Sequence, residues 1–203
     1  MLAGGAAYLA VGLPGALRWW GAVGLMLDWH LGMAETEGGE PRPLGAADAA
    51  TLVRAWLVPL VARDPRPVLL AAGYVSDVLD GALARATAPT RLGRDLEAAV
   101  DVCFSVAALK ALVRSGALPA PVAGAEATRM VTGATLATAS WLSRAGPPSG
   151  LALRAARATT PIRAAGVLAA ACGRRRLGSA LVVIGSVASV VAQWRALLVA
   201  RRM

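Results

Sequence analysis

Asp77, Asp80, Glu97 and Asp101 are four carboxylates set between and within two apolar stretches of the chain. Ionisable groups are costly at membrane depth, so such a cluster is a functional-site hypothesis by default. On helices, Asp77 and Asp80 share one face at i,i+3, and Glu97 and Asp101 share another at i,i+4. Two facing pairs form a cage of oxygen donors for a hard divalent cation. Magnesium often combines a few carboxylates with substrate phosphate oxygens, so the cage implies a phosphorylated substrate. Gly81 leaves room for a ligand beside the backbone, and Arg85, one turn on, offers a planar fork for phosphate. A carboxylate that the metal holds weakly is free to act as a general base. The competing reading is structural: Arg85, Arg91 and Arg94 neutralise the acids as ion pairs without any catalysis.

The elements that carry these residues follow from hydropathy. The chain has 203 residues, 57% hydrophobic and 16% charged, with a mean hydropathy of +0.57. This is the composition of a multi-pass membrane protein. Six apolar runs are long enough to cross a bilayer, at about 47–63, 67–85, 93–114, 118–142, 150–172 and 178–199. Between them stand Arg63-Asp64-Pro65-Arg66-Pro67, Ala88-Pro89-Thr90, Ser115-Gly116, Gly146-Pro147-Pro148 and Gly173-Arg174-Arg175-Arg176, each a helix stop followed by a restart. The expected fold is an all-α membrane helix bundle of six core transmembrane helices, residues 47–203, preceded by an apolar segment. That segment, 1–33, is broken by Pro14 and Arg18-Trp19-Trp20, and reads as a tilted span, a helical hairpin or a helix lying in the interface. A polar Gly/Pro-containing linker, 34–46, separates it from the core.

The net charge of +9 does not read as nucleic-acid binding, because the arginines punctuate apolar runs and suit helix ends, lipid headgroups and phosphate ligands. Cys103 and Cys172 are far apart and apolar in context, which excludes a disulfide framework or thiolate metal site. His30, beside Trp29, has no partner in sequence and reads as interfacial. Loop arginines fall on both alternating sets of loops, so charge alone does not orient the chain. Arg154 and Arg157 share a face at i,i+3 and, with Arg129, are candidates for a second phosphate. Gly185 and Ser189 form a small-xxx-small pair that packs helices or a dimer.

Taken in order, Asp77-x2-Asp80-Gly81-x2-Ala84-Arg85, then Gly93-x3-Glu97-x3-Asp101, resembles the signature of the CDP-alcohol phosphatidyltransferase family. Asp48-Ala-Ala-Thr51-Leu-Val-Arg54 followed by Pro59 is similar to the opening of that family's first core helix. Two departures stand out. Seven residues separate Arg85 from Gly93 where the family has eight, and Glu97 stands where the family has its third aspartate. Glutamate keeps the charge but moves the carboxylate by roughly 1.5 Å. Asp95 is a rival ligand by composition, but it sits about 240° around a helix from Asp101, whereas Glu97 shares its face.

The resemblance implies a metal site of Asp77, Asp80, Glu97 and Asp101, filled by Mg2+ or Mn2+, with Asp101 as the base for an acceptor hydroxyl. It places Thr51, Asp80, Gly81, Ala84, Arg85, Thr90 and Gly93 against the CDP-lipid. It also implies CDP-diacylglycerol as donor, a small alcohol acceptor, release of CMP, a homodimer, and a bacterial inner membrane with the site facing the cytoplasm. Competing functions are a catalytically inactive member serving as a membrane binding or scaffold protein, which Glu97 favours, and a small transporter with an acidic relay, which leaves Gly81 and Ala84-Arg85 without a role.

Overall fold

Helix stops written in the sequence become helix ends in the computed structural model, which describes residues 1–30, 34–36, 38–87, 90–142 and 158–200. Among the described residues there are eight helices and no strand. They are α1 (Leu2–Ala10), α2 (Ala16–Trp29), α3 (Ala46–Arg63), α4 (Pro67–Thr87), α5 (Arg91–Arg114), α6 (Ala120–Leu142), α7 (Thr160–Ala171) and α8 (Arg175–Ala200). Pro67 opens α4, where its missing N–H costs nothing. Gly116 and Gly173 follow α5 and α7 with φ of 72° and 80°, the left-handed conformation that ends a helix and suits glycine.

Each expected span coincides with one of α3 to α8, although the 150–157 part of the fifth lies outside the described residues. Two helices are long and apolar enough to cross a membrane: α4, and α8 over Arg175–Arg195. The expectation of six equivalent spans is therefore met only in part. Charges along α5, from Arg91 and Arg94 through Asp95, Glu97 and Asp101 to Lys110 and Arg114, dilute its apolar character.

The chain forms two units, Met1–Ala108 and Leu109–Met203. In the first, α1 and α2 make an antiparallel hairpin: Trp20 Nε1 donates to Met1 O at 2.7 Å, and Gly4 lies under the Trp20 ring. Of the three forms open to the apolar N-terminal segment, the described residues 2–29 form the hairpin. Val23 and Leu27 of α2 are buried with Ala55 of α3 and Leu92, Leu96 and Val100 of α5. Gly73 of α4 meets the Phe104 ring of α5 so closely that a Cβ there would lie 2.1 Å from Phe104 Cζ.

In the second unit, α7 and α8 cross at glycines. A Cβ on Gly166 would sit 2.8 Å from Val182 N, and one on Gly178 would sit 2.7 Å from Ala170 N. Small residues permit this approach of two backbones. Gly185 is covered by Arg163 of the same chain, whose Cγ is 2.4 Å from a Cβ placed there, and Ser189 is buried. The pair read from the sequence thus packs within the chain.

Candidate active site

Arg54 anchors the site, and α3 delivers it. An arginine in an apolar helix must find acceptors, because burying an unpaired guanidinium costs several kcal/mol. Arg54 is 2% exposed. Its Nη1 donates to Asp77 Oδ1, and its Nη2 donates to Asp80 Oδ2 at 2.7 Å and pairs with Asp101 Oδ1 at 2.9 Å. One side chain therefore ties α4 to α5. Thr51, one turn earlier, donates from Oγ1 to Asp80 Oδ2 at 2.9 Å.

Carboxylate oxygens of Asp77, Glu97 and Asp101 lie within 4.8 Å of one another. The longer side chain of Glu97 therefore reaches the same point as the two aspartates, and Asp95, 4.0 Å from Arg94, is not in the group. Asp80 differs from the other three. It is 3% exposed, its Oδ2 is committed to Thr51 and Arg54, and its buried Oδ1 has no partner. A buried carboxylate oxygen without a donor is a costly vacancy in a hydrogen-bond network. Asp77, Glu97 and Asp101, the first and last of them paired with Arg54, bring together oxygen donors of the kind that suit a hard divalent ion.

Of the residues expected around the donor, Gly81, Ala84 and Arg85 lie at the end of α4, and Thr90 and Gly93 at the start of α5. The Arg85 guanidinium approaches Gly81, with Nη1 3.3 Å from where a Cβ would stand. Ala84 is half-buried and Arg85 exposed on the same helix. Thr90 Oγ1 accepts the Gly93 N–H at 2.9 Å, which fixes the first turn of α5. A side chain at Gly93 would displace Asp48 and Thr90, whose Oδ1 and Oγ1 lie 2.7 and 2.9 Å from the Cβ position. Asp48 in turn accepts the Gly45 N–H through Oδ2 at 2.7 Å and so caps α3.

Arg129 belongs to the second unit. There Glu126 Oε1 takes Arg129 Nη2 at 2.8 Å and Arg163 Nη1 at 2.6 Å, while Ser186 Oγ lies 2.7 Å from Glu126 Oε2. The expected phosphate ligand Arg129 is thus engaged by a buried carboxylate, and Arg154 and Arg157 lie outside the described residues. Sequence reading missed Arg54 as a site residue. Its signal was present: an arginine deep in an apolar run, three residues after Thr51 and near a surplus of acids, has to pair with some of them.

A family model described as CDP-alcohol phosphatidyltransferase matches residues 46–200, which begins at the first residue of α3 and takes in every residue of the cluster. No curated protein and no solved structure matches the chain significantly.

Proposed function

Because the chain belongs to the CDP-alcohol phosphatidyltransferase family, we propose that it is an integral-membrane enzyme of phospholipid synthesis that transfers a phosphatidyl group from CDP-diacylglycerol to a small phosphorylated polyol and releases CMP. The observation that carries this reading is the meeting of the Asp77, Glu97 and Asp101 carboxylates from two helices, with Arg54 pairing Asp77 and Asp101. Asp77, Glu97 and Asp101 would hold Mg2+ or Mn2+, with the expected fourth ligand, Asp80, set behind them on Thr51 and Arg54. A bound divalent ion supplies charge stabilisation at the donor diphosphate.

The chain's own groups then have distinct tasks. Asp101, with its side chain 45% exposed, is open to an acceptor hydroxyl and takes its proton. The hydroxyl oxygen forms a bond to the β-phosphorus, the bond from that phosphorus to the CMP oxygen breaks, and CMP leaves with the electron pair. Arg85, whose guanidinium lies over Gly81, receives the diphosphate, as Thr90 and Gly93 do the nucleotide end. Arg54 keeps the acids of α4 and α5 in one place and balances part of their charge.

Membrane insertion is supported by α4 and α8 and by the apolar side chains they leave exposed, among them Val75, Val78 and Leu79, and Ile184, Val187 and Val191. A bacterial inner membrane, a cytoplasm-facing site and a homodimer belong to this reading through family membership alone. A second reading has its own observation: Arg54 already binds Asp77, Asp80 and Asp101 as an ion network, which a non-catalytic scaffold would also need.

The deciding experiment measures metal-dependent CMP release from CDP-diacylglycerol across a panel of alcohols. The transferase reading expects turnover in the parent and none in Asp101→Asn, with a phosphorylated acceptor preferred. The scaffold reading expects no turnover in the parent or in Glu97→Asp. Undiminished release in Asp101→Asn would remove that residue as the base.

A further inference from the structure

We propose that the α1–α2 hairpin and the linker after it, which precede the family match, hold the two helices of the active site, and that Trp19 replaces the backbone donor that Pro59 removes from α3. This rests on the site assignment above. Trp19 is a positioning residue, acting through Ala55 and its neighbour Arg54.

Pro59 lies inside α3. A proline in a helix interior has no N–H for the carbonyl four residues earlier, here Ala55 O. Ala55 is fully buried, and a buried carbonyl needs a partner. Trp19 Nε1 supplies it, donating to Ala55 O at 2.8 Å. On the next residue, Tyr8 Oη donates to Trp56 O at 2.7 Å, and Trp56 Nε1 returns a bond to Gly4 O at 3.1 Å. The Tyr8 and Trp56 rings stack with centroids 5.4 Å apart. Two side chains from the hairpin thus satisfy consecutive carbonyls immediately after Arg54.

The same segment grips α5. Val23 and Leu27 pack against Leu92, Leu96 and Val100. Past the hairpin, Glu35 O accepts the Arg91 N–H at 3.0 Å, and the Glu35 carboxylate pairs with Arg91 Nη1 at 3.0 Å. Thr36 bridges to Thr90. Glu97 and Asp101 lie on the helix held in this way, and Arg54 on the other.

The test is a double-mutant cycle on the full chain in detergent, read by hydrogen–deuterium exchange of the α3 amides and by Mn2+ binding. Trp19→Phe keeps the ring and removes the N–H; Pro59→Ala returns the amide. In Trp19→Phe, α3 exchange should rise and Mn2+ affinity should fall, each by about tenfold, since the helix that gathers the carboxylates loses the partner of a buried carbonyl. In the Pro59→Ala background, the same Trp19→Phe change should alter both by less than about twofold. Trp20→Phe, which removes an indole N–H that donates to Met1 O, should leave Mn2+ affinity unchanged. If Trp19→Phe does not fold, recovery of folded protein on adding Pro59→Ala supports the proposal, and no recovery overturns it. Equal losses in both backgrounds also overturn it. A parent that binds no Mn2+ defeats the site assignment instead, while the exchange cycle still decides the role of Trp19.

Discussion

At the scale of single residues, Arg54 is the group on which the site depends. It is buried against three aspartates whose mutual repulsion it relieves. Arg54→Met leaves Asp80 buried without its cation, and breaking such a pair from one side costs about 3–5 kcal/mol. Thermal unfolding should therefore show a large loss of stability. Arg54→Lys should recover little of it, because a single ammonium lacks the fork that spans Asp77 on one nitrogen and Asp80 and Asp101 on the other. A lysine variant as stable as the parent would contradict the bridging role. Glu97 was visible in the sequence as a departure from the family pattern, but where its carboxylate ends depends on how closely α4 and α5 approach. The extra methylene is absorbed, and its oxygen joins those of Asp77 and Asp101.

The next scale is that of helix against helix. Gly73 and Asp77 are one turn apart on α4, and Asp101 and Phe104 are close to one turn apart on α5. The contact of Gly73 with the Phe104 ring therefore sets the interhelical distance beside the proposed metal ligands. Gly73→Ala puts a methyl where the ring already is, and overpacking of this kind costs about 1–3 kcal/mol. Widening the approach should also draw Asp77 away from Glu97 and Asp101, so CMP release should fall together with stability. Adding Phe104→Leu should restore part of both, measured by the same assay and by unfolding. Helix ends were legible in the chain because proline and glycine punctuation acts locally. Contacts such as Gly73 with Phe104, or Gly166 with Gly178, were not, because a glycine inside an apolar run carries no mark of its partner.

For the molecule as a whole, the convergence of Asp77, Glu97 and Asp101 has a thermodynamic consequence. A divalent ion that binds the folded chain and not the unfolded one raises stability by about 2.7 kcal/mol at a free concentration one hundred times Kd. Mg2+ or Mn2+ should therefore raise the midpoint of thermal unfolding relative to EDTA, and Asp77→Asn or Asp101→Asn should abolish the rise. An equal rise in those variants would place the ion elsewhere. Residues 1–45, set apart by their composition in the sequence, share the first unit with the ligands, so removing them should lower the stability of the site and not merely detach an appendage.

The amino-acid sequence by itself determined an all-helical chain, the main helix stops, and the ordered acids and glycines that resemble the CDP-alcohol phosphatidyltransferase signature. Those are local properties: hydropathy, turn chemistry and spacing along one helix are set by residues near in the chain. Only the tertiary structure decided that Arg54 joins the acids, that Asp80 turns inward while the other three converge, and that Trp19 meets the carbonyl freed by Pro59. The bonds from Arg54 to Asp77 and Asp80 and from Trp19 to Ala55 join residues 23, 26 and 36 positions apart, through geometry that exists only once the helices have packed.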